Sequence, residues 1–358
     1  MHQREHTTGH LFQIFIPAQL DPRYDHPSNT PLSKVDFEHF ERGESGVMGR
    51  FCLSENFTAS HFNADTALKA LDRMIENQTK PFVLTVSFHH PHAPVVTPSK
   101  YLDYYWKNRD NLFVPPSIGD TMLNSAYTKR NKRNKWLDSG YGYDDPSQVK
   151  EWTALYYGLI EEIDDYIGKM LDKVEEAGIS NNTMIVFTAD HGEMLGAHSM
   201  RGKNVFLEEA VRVPLIIAFP GQIKPGVVVQ ESVSHIDLVA TMLDYLHAGE
   251  ADKSDGTSLR RFIETTSYNE NFDENVVVSE WGYRTPINSA NSDKKFGDDT
   301  NFMVAKGDYK LMIAKAASST TIDMMYHLKS DPYEVNNLLG EVGMKATDAI
   351  IGKAEHLR

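Results

Sequence analysis

The feature that most constrains the fold is the segment from Thr183 to Gly221, in which two apolar runs enclose a polar loop. The first run, Met184 to Phe187, has the length and composition of a buried strand, and the second extends from Pro214 to Phe219. Asp190 and His191 follow the first run closely. Because α/β proteins place their chemistry beyond the carboxyl ends of strands, we expect the functional site in this loop.

A long amphipathic helix is predicted just before this segment. Apolar residues recur at helical spacing between Leu155 and Val174, so the helix should span roughly residues 147 to 177, with Gly178 after its last turn. Four carboxylates are interpreted as its solvent-exposed face rather than as an acid–base pair: Glu161, Glu162, Asp164 and Asp165. A helix that leads into a strand through a short loop indicates an α/β fold with a parallel sheet.

A second buried strand is predicted from Phe82 to Phe88, because this run is rich in β-branched and aromatic residues. It leads into residues 89–94, whose sequence HHPHAP combines three histidines with two prolines. Proline restricts the backbone and so gives His92 the fixed direction that a general acid needs. Two interpretations stay open: His92 is a general acid, or the histidines are solvated in a proline-rich turn.

The domain organisation is predicted from a polar, glycine-containing stretch near residue 250. Residues 1–250 are expected to form the main α/β domain, in which residues 1 to 60 are irregular surface and Ser234 caps a short helix. Residues 251–358 are expected to form a smaller subdomain. Short runs separated by tight turns predict its antiparallel sheet: Val276 to Ser279, Phe302 to Ala305, Tyr309 to Ile313 and Met325 to Leu328.

Charge and composition exclude several classes of protein. The net charge of −14 argues against a nucleic-acid binder, so an anionic substrate would need positive charge from a metal, Lys or His. The basic cluster from Lys129 to Lys135 is either a solvated loop or a contact for such a substrate. Cys52 is the single cysteine, so no intrachain disulfide can form, and we interpret it as a buried, inert thiol. No apolar run approaches the length of a membrane span.

With these residues in view, the chain resembles the sulfatase family of the alkaline-phosphatase superfamily. The matching motifs run in order through the sequence: PFVLTVSFHHPHAP, TMIVFTADHGEMLGAH, RGKN, VRVPLIIAFPG and YHLKSDPYEVNNL. The Asp-His form of the pair at 190–191 is similar to the iduronate-2-sulfatase and choline-sulfatase branch. The resemblance covers roughly residues 60 to 340. It implies a mixed, mostly parallel sheet flanked by helices, followed by a small C-terminal α+β subdomain.

The resemblance also implies roles for individual residues. Asp190 and His191 would be ligands of a divalent cation, most often calcium, with magnesium as an alternative. A carboxylate suits calcium, whereas imidazole suits it poorly, so His191 could instead contact the nucleophile or the sulfate. Lys203 would bind a sulfate oxygen and His92 would protonate the leaving alcohol. His198 and Arg201 lie in the same loop and are expected to touch the substrate.

The sequence departs from the family at the nucleophile. Family members carry a formylglycine made within a Cys/Ser-x-Pro/Ala-x-Arg motif, and no such motif occurs in this chain; the surroundings of Cys52 do not fit it. We therefore expect the first part of the usual fold to be missing and the chain to be the C-terminal portion of a longer sulfatase. By itself, the chain is expected to hydrolyse sulfate esters little or not at all. A phosphodiesterase or phosphonate hydrolase of the same superfamily, or a non-catalytic remnant, are the alternatives.

The resemblance extends to partners and location. The implied substrate is a sulfated small molecule or glycan, and neither a nucleic acid nor a membrane span is expected. A secreted, lysosomal or periplasmic protein is favoured by the resemblance. The sequence predicts no particular oligomeric state.

Overall fold

The computed structural model describes residues 13–14, 37–39, 48–51, 54–77, 80–120, 145–203, 205–249, 255–264, 275–281, 301–316 and 319–339. The chain forms two compact units: Met1–Val114 with Asp145–Thr183, and Pro115–Asp144 with Met184–Arg358. The predicted division near residue 250 stays a prediction. Cys52 and the basic cluster from Lys129 to Lys135 lie outside the described residues. Among the described helices, none has the length and apolar character needed to cross a membrane.

Three helices dominate the first unit. They are α1 (Ala59–Glu76), α2 (Ser99–Lys107) and α3 (Pro146–Glu176). Helix α3 confirms the long helix predicted from the apolar spacing, and it begins after Asp145, whose carboxylate accepts a hydrogen bond from the Ser147 N–H. Leu155 and Leu159 of α3 pack with Leu102 and Val95 to form the core of this unit.

Five short strands complete the described part of the first unit. They are β1 (Gln13–Ile14), β2 (Phe37–His39), β3 (Met48–Phe51), β4 (Val83–Leu84) and β5 (Val95–Pro98). Strand β1 pairs in parallel with β4, and β3 lies between antiparallel β2 and parallel β5. The prediction that residues 1 to 60 are entirely irregular is therefore wrong at β1, β2 and β3. The strand predicted from Phe82 to Phe88 is regular only at β4, where a partner strand is present.

The second unit begins with the segment that organises the sequence. Its elements are β6 (Ile185–Thr188), the short helix α4 (Glu208–Val211), β7 (Leu215–Ala218), α5 (His235–Tyr245) and α6 (Arg260–Glu264). Strands β6 and β7 pair antiparallel, from Ile185 opposite Ala218 to Thr188 opposite Leu215. The two apolar runs thus lie side by side, and the loop between them leaves and returns at the same end of the pair.

Helix α5 starts where the sequence predicts. The Ser234 side chain caps the helix, and its backbone N–H donates to the Asp237 carboxylate at 2.9 Å, which completes a capping box. Both interactions satisfy backbone groups that the first turn of a helix leaves without partners. The prediction of a helix capped by Ser234 is confirmed.

A four-stranded antiparallel sheet forms the end of the described chain. Its strands are β8 (Val276–Trp281), β9 (Asn301–Lys306), β10 (Tyr309–Ala316) and β11 (Ser319–His327), in the order β11-β10-β9-β8. This confirms the predicted C-terminal sheet. One face of the sheet, with Met312 and Met324, packs against Met194 and Phe206 of the loop between β6 and β7. The sheet therefore supports that loop from one side.

Candidate functional site

A glycine fixes the start of the loop between β6 and β7. The Gly192 N–H donates to the Ala210 carbonyl at 2.8 Å, which ties the loop to α4. A Cβ atom on Gly192 would lie only 2.0 Å from the Glu209 carbonyl oxygen, so no larger residue fits without a backbone shift. Asp190 and His191, immediately before this contact, are consequently held close to α4.

Asp190 and His191 face each other across a short gap. The Asp190 side chain is 85% exposed, and its Oδ1 accepts a hydrogen bond from the His191 backbone N–H at 2.9 Å. The His191 Nδ1 lies 2.8 Å from the Gly192 carbonyl oxygen, an acceptor, so Nδ1 carries a proton. In the neutral ring, Nε2 then offers a lone pair, and it lies 3.4 Å from the Asp190 Oδ2.

This spacing fits two neighbouring ligands of one cation. Calcium–oxygen distances of about 2.3–2.6 Å place two ligands at right angles about 3.3–3.7 Å apart. The 3.4 Å between Asp190 Oδ2 and His191 Nε2 falls in that range. No group of three or more His, Cys, Asp or Glu side chains in the described part of the chain could hold a metal. The pair can therefore supply part of a coordination shell, and a complete shell needs further ligands.

Lys203 lies in the same loop and is available to an anion. Its side chain is half-buried, and no carboxylate among the described residues forms an ion pair with it. The preceding residue, Gly202, has a φ of 79° and donates its N–H to the Glu193 carboxylate, which fixes the turn. Arg201, before that turn, is also half-buried. The loop thus carries a positively charged side chain, Lys203, twelve residues after His191 in the sequence.

His198 is held inside the second unit rather than at its surface. Its ring is 0% exposed, and Nδ1 lies 2.8 Å from the Asp120 carboxylate. Its backbone N–H donates to the Ser117 hydroxyl at 3.2 Å, and Nε2 is buried with no hydrogen-bond partner among the described residues. The ring is therefore enclosed by protein in this structure. The predicted contact between His198 and a substrate stays a prediction.

His92 lies in the first unit, on the turn formed by residues 89–94, called the histidine turn below. Its backbone N–H donates to the His89 carbonyl at 3.1 Å, and its Nδ1 lies 2.7 Å from the Ala93 carbonyl oxygen. The Nδ1 proton is thereby used, and Nε2 is the nitrogen left to exchange a proton with a substrate. The peptide bonds before Pro91 and Pro94 are both cis.

The predicted site residues are divided between the two units. His92 is in the first unit, whereas the others are in the second: Asp190, His191, His198, Arg201 and Lys203. The structure brings Asp190 and His191 into direct contact. A joint action of His92 with the loop residues stays a prediction.

One buried titratable residue next to the histidine turn is assigned wrongly from the sequence. Glu162 is predicted on the solvent-exposed face of its helix, but its side chain is 0% exposed. A signal was present in the spacing, because residue 162 is three positions after Leu159 and four before Tyr166, both buried on α3. Because its neighbours Glu161, Asp164 and Asp165 are also acidic, Glu162 is assigned to the solvent-exposed face although it belongs to the apolar stripe.

Comparisons with known sequences identify the family. The sequence model of the family described as Sulfatase matches residues 18–248, and that described as N-sulphoglucosamine sulphohydrolase, C-terminal, matches residues 196–355. An arylsulfatase from Clostridium perfringens is 31% identical over 289 residues, which cover 80% of this chain and 54% of the relative. A multifunctional alkaline phosphatase superfamily protein from Trinickia caryophylli is 28% identical over 322 residues, 85% of this chain and 59% of the relative.

A solved structure shows the same fold. A phosphonate monoester hydrolase from Silicibacter pomeroyi matches with a TM-score of 0.70 at 24% identity, covering 86% of this chain and 60% of that one. This likeness confirms the predicted mixed α/β fold. The chain spans just over half the length of the two curated relatives, 54% and 59%. Since the Sulfatase match includes His92, Asp190 and Lys203, within a region longer than half of the chain, the chain belongs to the sulfatase family.

Proposed function

We propose that this chain supplies the cation-binding and sulfate-binding part of a sulfuric-ester hydrolase site. The observation that carries the proposal is the loop between β6 and β7. There, the Asp190 and His191 donor atoms lie 3.4 Å apart and Lys203 has no carboxylate partner among the described residues. A sulfate ester is an anion, and in a chain with a net charge of −14 it needs such a local source of positive charge.

Asp190 and His191 are proposed to hold a divalent cation, calcium before magnesium. When bound, such a cation would polarise a substrate oxygen as a Lewis acid. The exposed Asp190 carboxylate suits calcium, and its Oδ2 stands beside the His191 lone pair. The contact between the His191 Nδ1 proton and the Gly192 carbonyl fixes the ring, as outer hydrogen-bond partners of metal-binding histidines do.

Lys203 and His92 are proposed to act on the ester itself. The Lys203 ammonium binds a sulfate oxygen and stabilises the negative charge that builds up as the ester bond breaks. His92 donates its Nε2 proton to the leaving alcohol, because an alkoxide leaves poorly without one. The hydrogen bond to His89 and the contact with the Ala93 carbonyl leave that nitrogen available. Arg201 and His198 are proposed to assist substrate binding.

The nucleophile is proposed to come from outside these 358 residues. The family uses a formylglycine for this step, and this sequence has no Cys/Ser-x-Pro/Ala-x-Arg motif to supply it. The chain would therefore be the C-terminal portion of the complete enzyme. Residues 196–355 match a family described as N-sulphoglucosamine sulphohydrolase, which favours a sulfated carbohydrate as the substrate class, with a sulfated small alcohol as the alternative.

Binding of an anionic probe tests the role of Lys203. We expect p-nitrophenyl sulfate, measured by calorimetry with calcium present, to bind Lys203→Ala about tenfold more weakly than the unaltered chain, since a charge-assisted contact is lost. Lys224→Ala is the matched control, because Lys224 is exposed in the same unit. Equal affinities for the two variants would contradict the proposal.

A second candidate function is a phosphonate or phosphodiester hydrolase. A relative at 28% identity, from Trinickia caryophylli, is described as a multifunctional protein of the alkaline phosphatase superfamily, and a phosphonate monoester hydrolase from Silicibacter pomeroyi shares the fold. The two candidates differ in the preferred anion, so the same calorimetry with a phosphonate monoester separates them. Tighter binding of the phosphonate ester than of the sulfate ester would favour the second candidate. A folded chain that binds neither would indicate a non-catalytic remnant.

A further inference from the structure

A buried polar cluster in the first unit lies next to the histidine turn. Its centre is Glu162, whose side chain is 0% exposed in the middle of α3. The Thr58 hydroxyl, at the start of α1, donates to the Glu162 Oε1 at 2.5 Å. The same hydroxyl accepts a hydrogen bond from the His61 N–H at 3.1 Å and lies 3.0 Å from the Glu55 carbonyl oxygen, so the Glu162 carboxylate, at 2.5 Å, is the nearer of its two acceptors. A carboxylate in this position is costly to bury and so calls for an explanation.

The second oxygen of Glu162 points at the histidine turn. The Oε2 atom is buried and has no hydrogen-bond partner among the described residues. It lies 3.9 Å from the His90 Nδ1, and the Ser60 hydroxyl of α1 lies 2.8 Å from the same nitrogen. The Ser60 hydroxyl of α1 and the Glu162 carboxylate of α3 therefore both approach the Nδ1 atom of His90.

Other charged and titratable groups surround the cluster. Burial raises the pKa of Glu162 to about 7, and the nearby charge of Glu55 adds to the rise. The Thr58 and Ser60 hydroxyls and the Lys100 ammonium of α2 oppose it. Two further groups lie nearby on α3. Burial raises the pKa of Tyr166, and Asp165 pairs with Lys100 of α2 at 3.1 Å and accepts a hydrogen bond from Tyr101 of α2 at 2.9 Å. The surrounding charges thus leave burial as the main influence on Glu162.

The cluster is connected to His92 through the turn itself. His90 is separated from His92 by Pro91 alone, and the His92 N–H donates to the His89 carbonyl at 3.1 Å. The His89 ring centre lies 4.7 Å from that of His92 and 6.5 Å from that of His90. The three rings form one contiguous group, so an anchor on His90 restrains the direction of His92.

We propose that Glu162, Ser60 and His90 are positioning residues that anchor the histidine turn to α1 and α3 and thereby direct His92. An apolar residue at 162 would fill the stripe between Leu159 and Tyr166 without the cost of burying a carboxyl group. The contacts of Glu162 and Ser60 with the His90 ring explain why polar residues occupy these buried positions. The inference rests on the proposed function, since the direction of His92 matters to catalysis only if His92 donates a proton.

Histidine NMR on the full chain tests the network without any turnover. The Cε1–H signals of His89, His90 and His92 are assigned by single substitutions and followed between pH 5 and 9. In the unaltered chain we expect the His92 signal to show a second inflection, which reports the protonation of Glu162. The exposed His247 of the other unit is the control and should show only its own titration. A single inflection for His92 would overturn the inference; the substitutions serve only to assign the signals, and the titration itself is followed in the unaltered chain.

Two variants with a matched control locate the source of the effect. Glu162→Gln should remove the second inflection from the His92 signal, since the titrating carboxyl group is lost. Asp164→Asn, an equal charge change at an exposed position of α3, should leave that inflection unchanged. Ser60→Ala should shift the His90 signal. A second inflection that survives Glu162→Gln would overturn the inference. Because Lys203 does not enter this experiment, the network and the proposed function can fail independently.

Discussion

Gly192 determines where the Asp190–His191 pair stands, because it is the point at which the loop touches α4. A methyl group at this position would lie 2.0 Å from the Glu209 carbonyl oxygen, so the backbone contact leaves no space for it. The hydrogen bond from the Gly192 N–H to the Ala210 carbonyl, at 2.8 Å, also depends on this close approach. Any side chain here must push the pair away from the helix.

Gly192→Ala should therefore destabilise the chain and disturb the site. We expect a loss of about 2–4 kcal/mol in the free energy of unfolding, measured in urea, because backbone atoms cannot move aside cheaply. Gly168→Ala is the control, since a Cβ there meets nothing within 4 Å and alanine favours the helix. A loss of stability in Gly192→Ala no larger than in this control would contradict the role given to Gly192.

Glu162 should make stability depend on pH. Its pKa is raised from 4.5 to about 7, so its contribution to stability is present in full below pH 4.5 and is lost as pH rises through about 7. Between pH 5 and 8 the unaltered chain should lose on the order of 2–3 kcal/mol more than Glu162→Gln. Urea unfolding at the two pH values measures this difference. Identical pH dependence in the two proteins would show that Glu162 is not buried as described; Asp164→Asn should behave like the unaltered chain.

Among the elements, a buried ion pair joins the C-terminal sheet to the site loop. Lys310 of β10 is 0% exposed and lies 2.8 Å from Glu208 at the start of α4 and 2.7 Å from the buried Glu334. Glu334 in turn accepts the Glu208 backbone N–H at 2.6 Å. Burial raises the pKa of Glu334 to about 7, although Lys310 opposes the rise. These contacts fix α4, and α4 fixes Gly192.

Removing the lysine should be costly because it leaves a buried carboxylate without its partner. Lys310→Met is expected to lower the free energy of unfolding by about 3–5 kcal/mol, since Glu334 then stays buried and unpaired with any ammonium. The double variant Lys310→Met with Glu334→Leu should recover a large part of that loss. Lys224→Met, at an exposed position, serves as the control. Additive losses in the double variant would indicate that Lys310 and Glu334 do not depend on each other.

Elements with strong local signals were predictable from the sequence. The apolar spacing gives α3 to within two residues at each end, Ser234 marks the start of α5, and tight turns mark the strands β8 to β11. Strands β1, β2 and β3 were missed because they have two to four residues and exist only through pairing with distant segments. The antiparallel pairing of β6 with β7 likewise depends on contacts between segments distant in sequence, so it could not be predicted from either segment alone.

The candidate site was predictable to the extent that it is local. Asp190, His191 and Lys203 share one loop, and His92 follows a strand-like run, so their chemistry can be inferred from the sequence. Glu162 was missed, because its acidic neighbours resemble a solvated helix face, and only its spacing indicates burial. Substrate contact by His198 was predicted from its place in the loop and stays a prediction; its pairing with Asp120 was missed because it joins residues distant in sequence.

For the whole molecule, the net charge of −14 sets a requirement on any anion-binding site. Such a protein repels sulfate at long range, so binding must rely on charges at short distance. A bound cation would supply the largest of these charges. The Asp190–His191 pair is the place proposed for such a cation, and cation binding can be measured directly.

Calorimetric titration of the chain with calcium is the most direct test. We expect saturable calcium binding by the unaltered chain and at least a roughly tenfold loss of affinity in Asp190→Asn, because a carboxylate ligand is removed. Asp164→Asn, with the same change of charge at an exposed helix position, should bind as the unaltered chain does. Calcium affinity that is equal in Asp190→Asn and Asp164→Asn, or a folded chain that binds no calcium, would contradict the proposal that this loop carries the cation site.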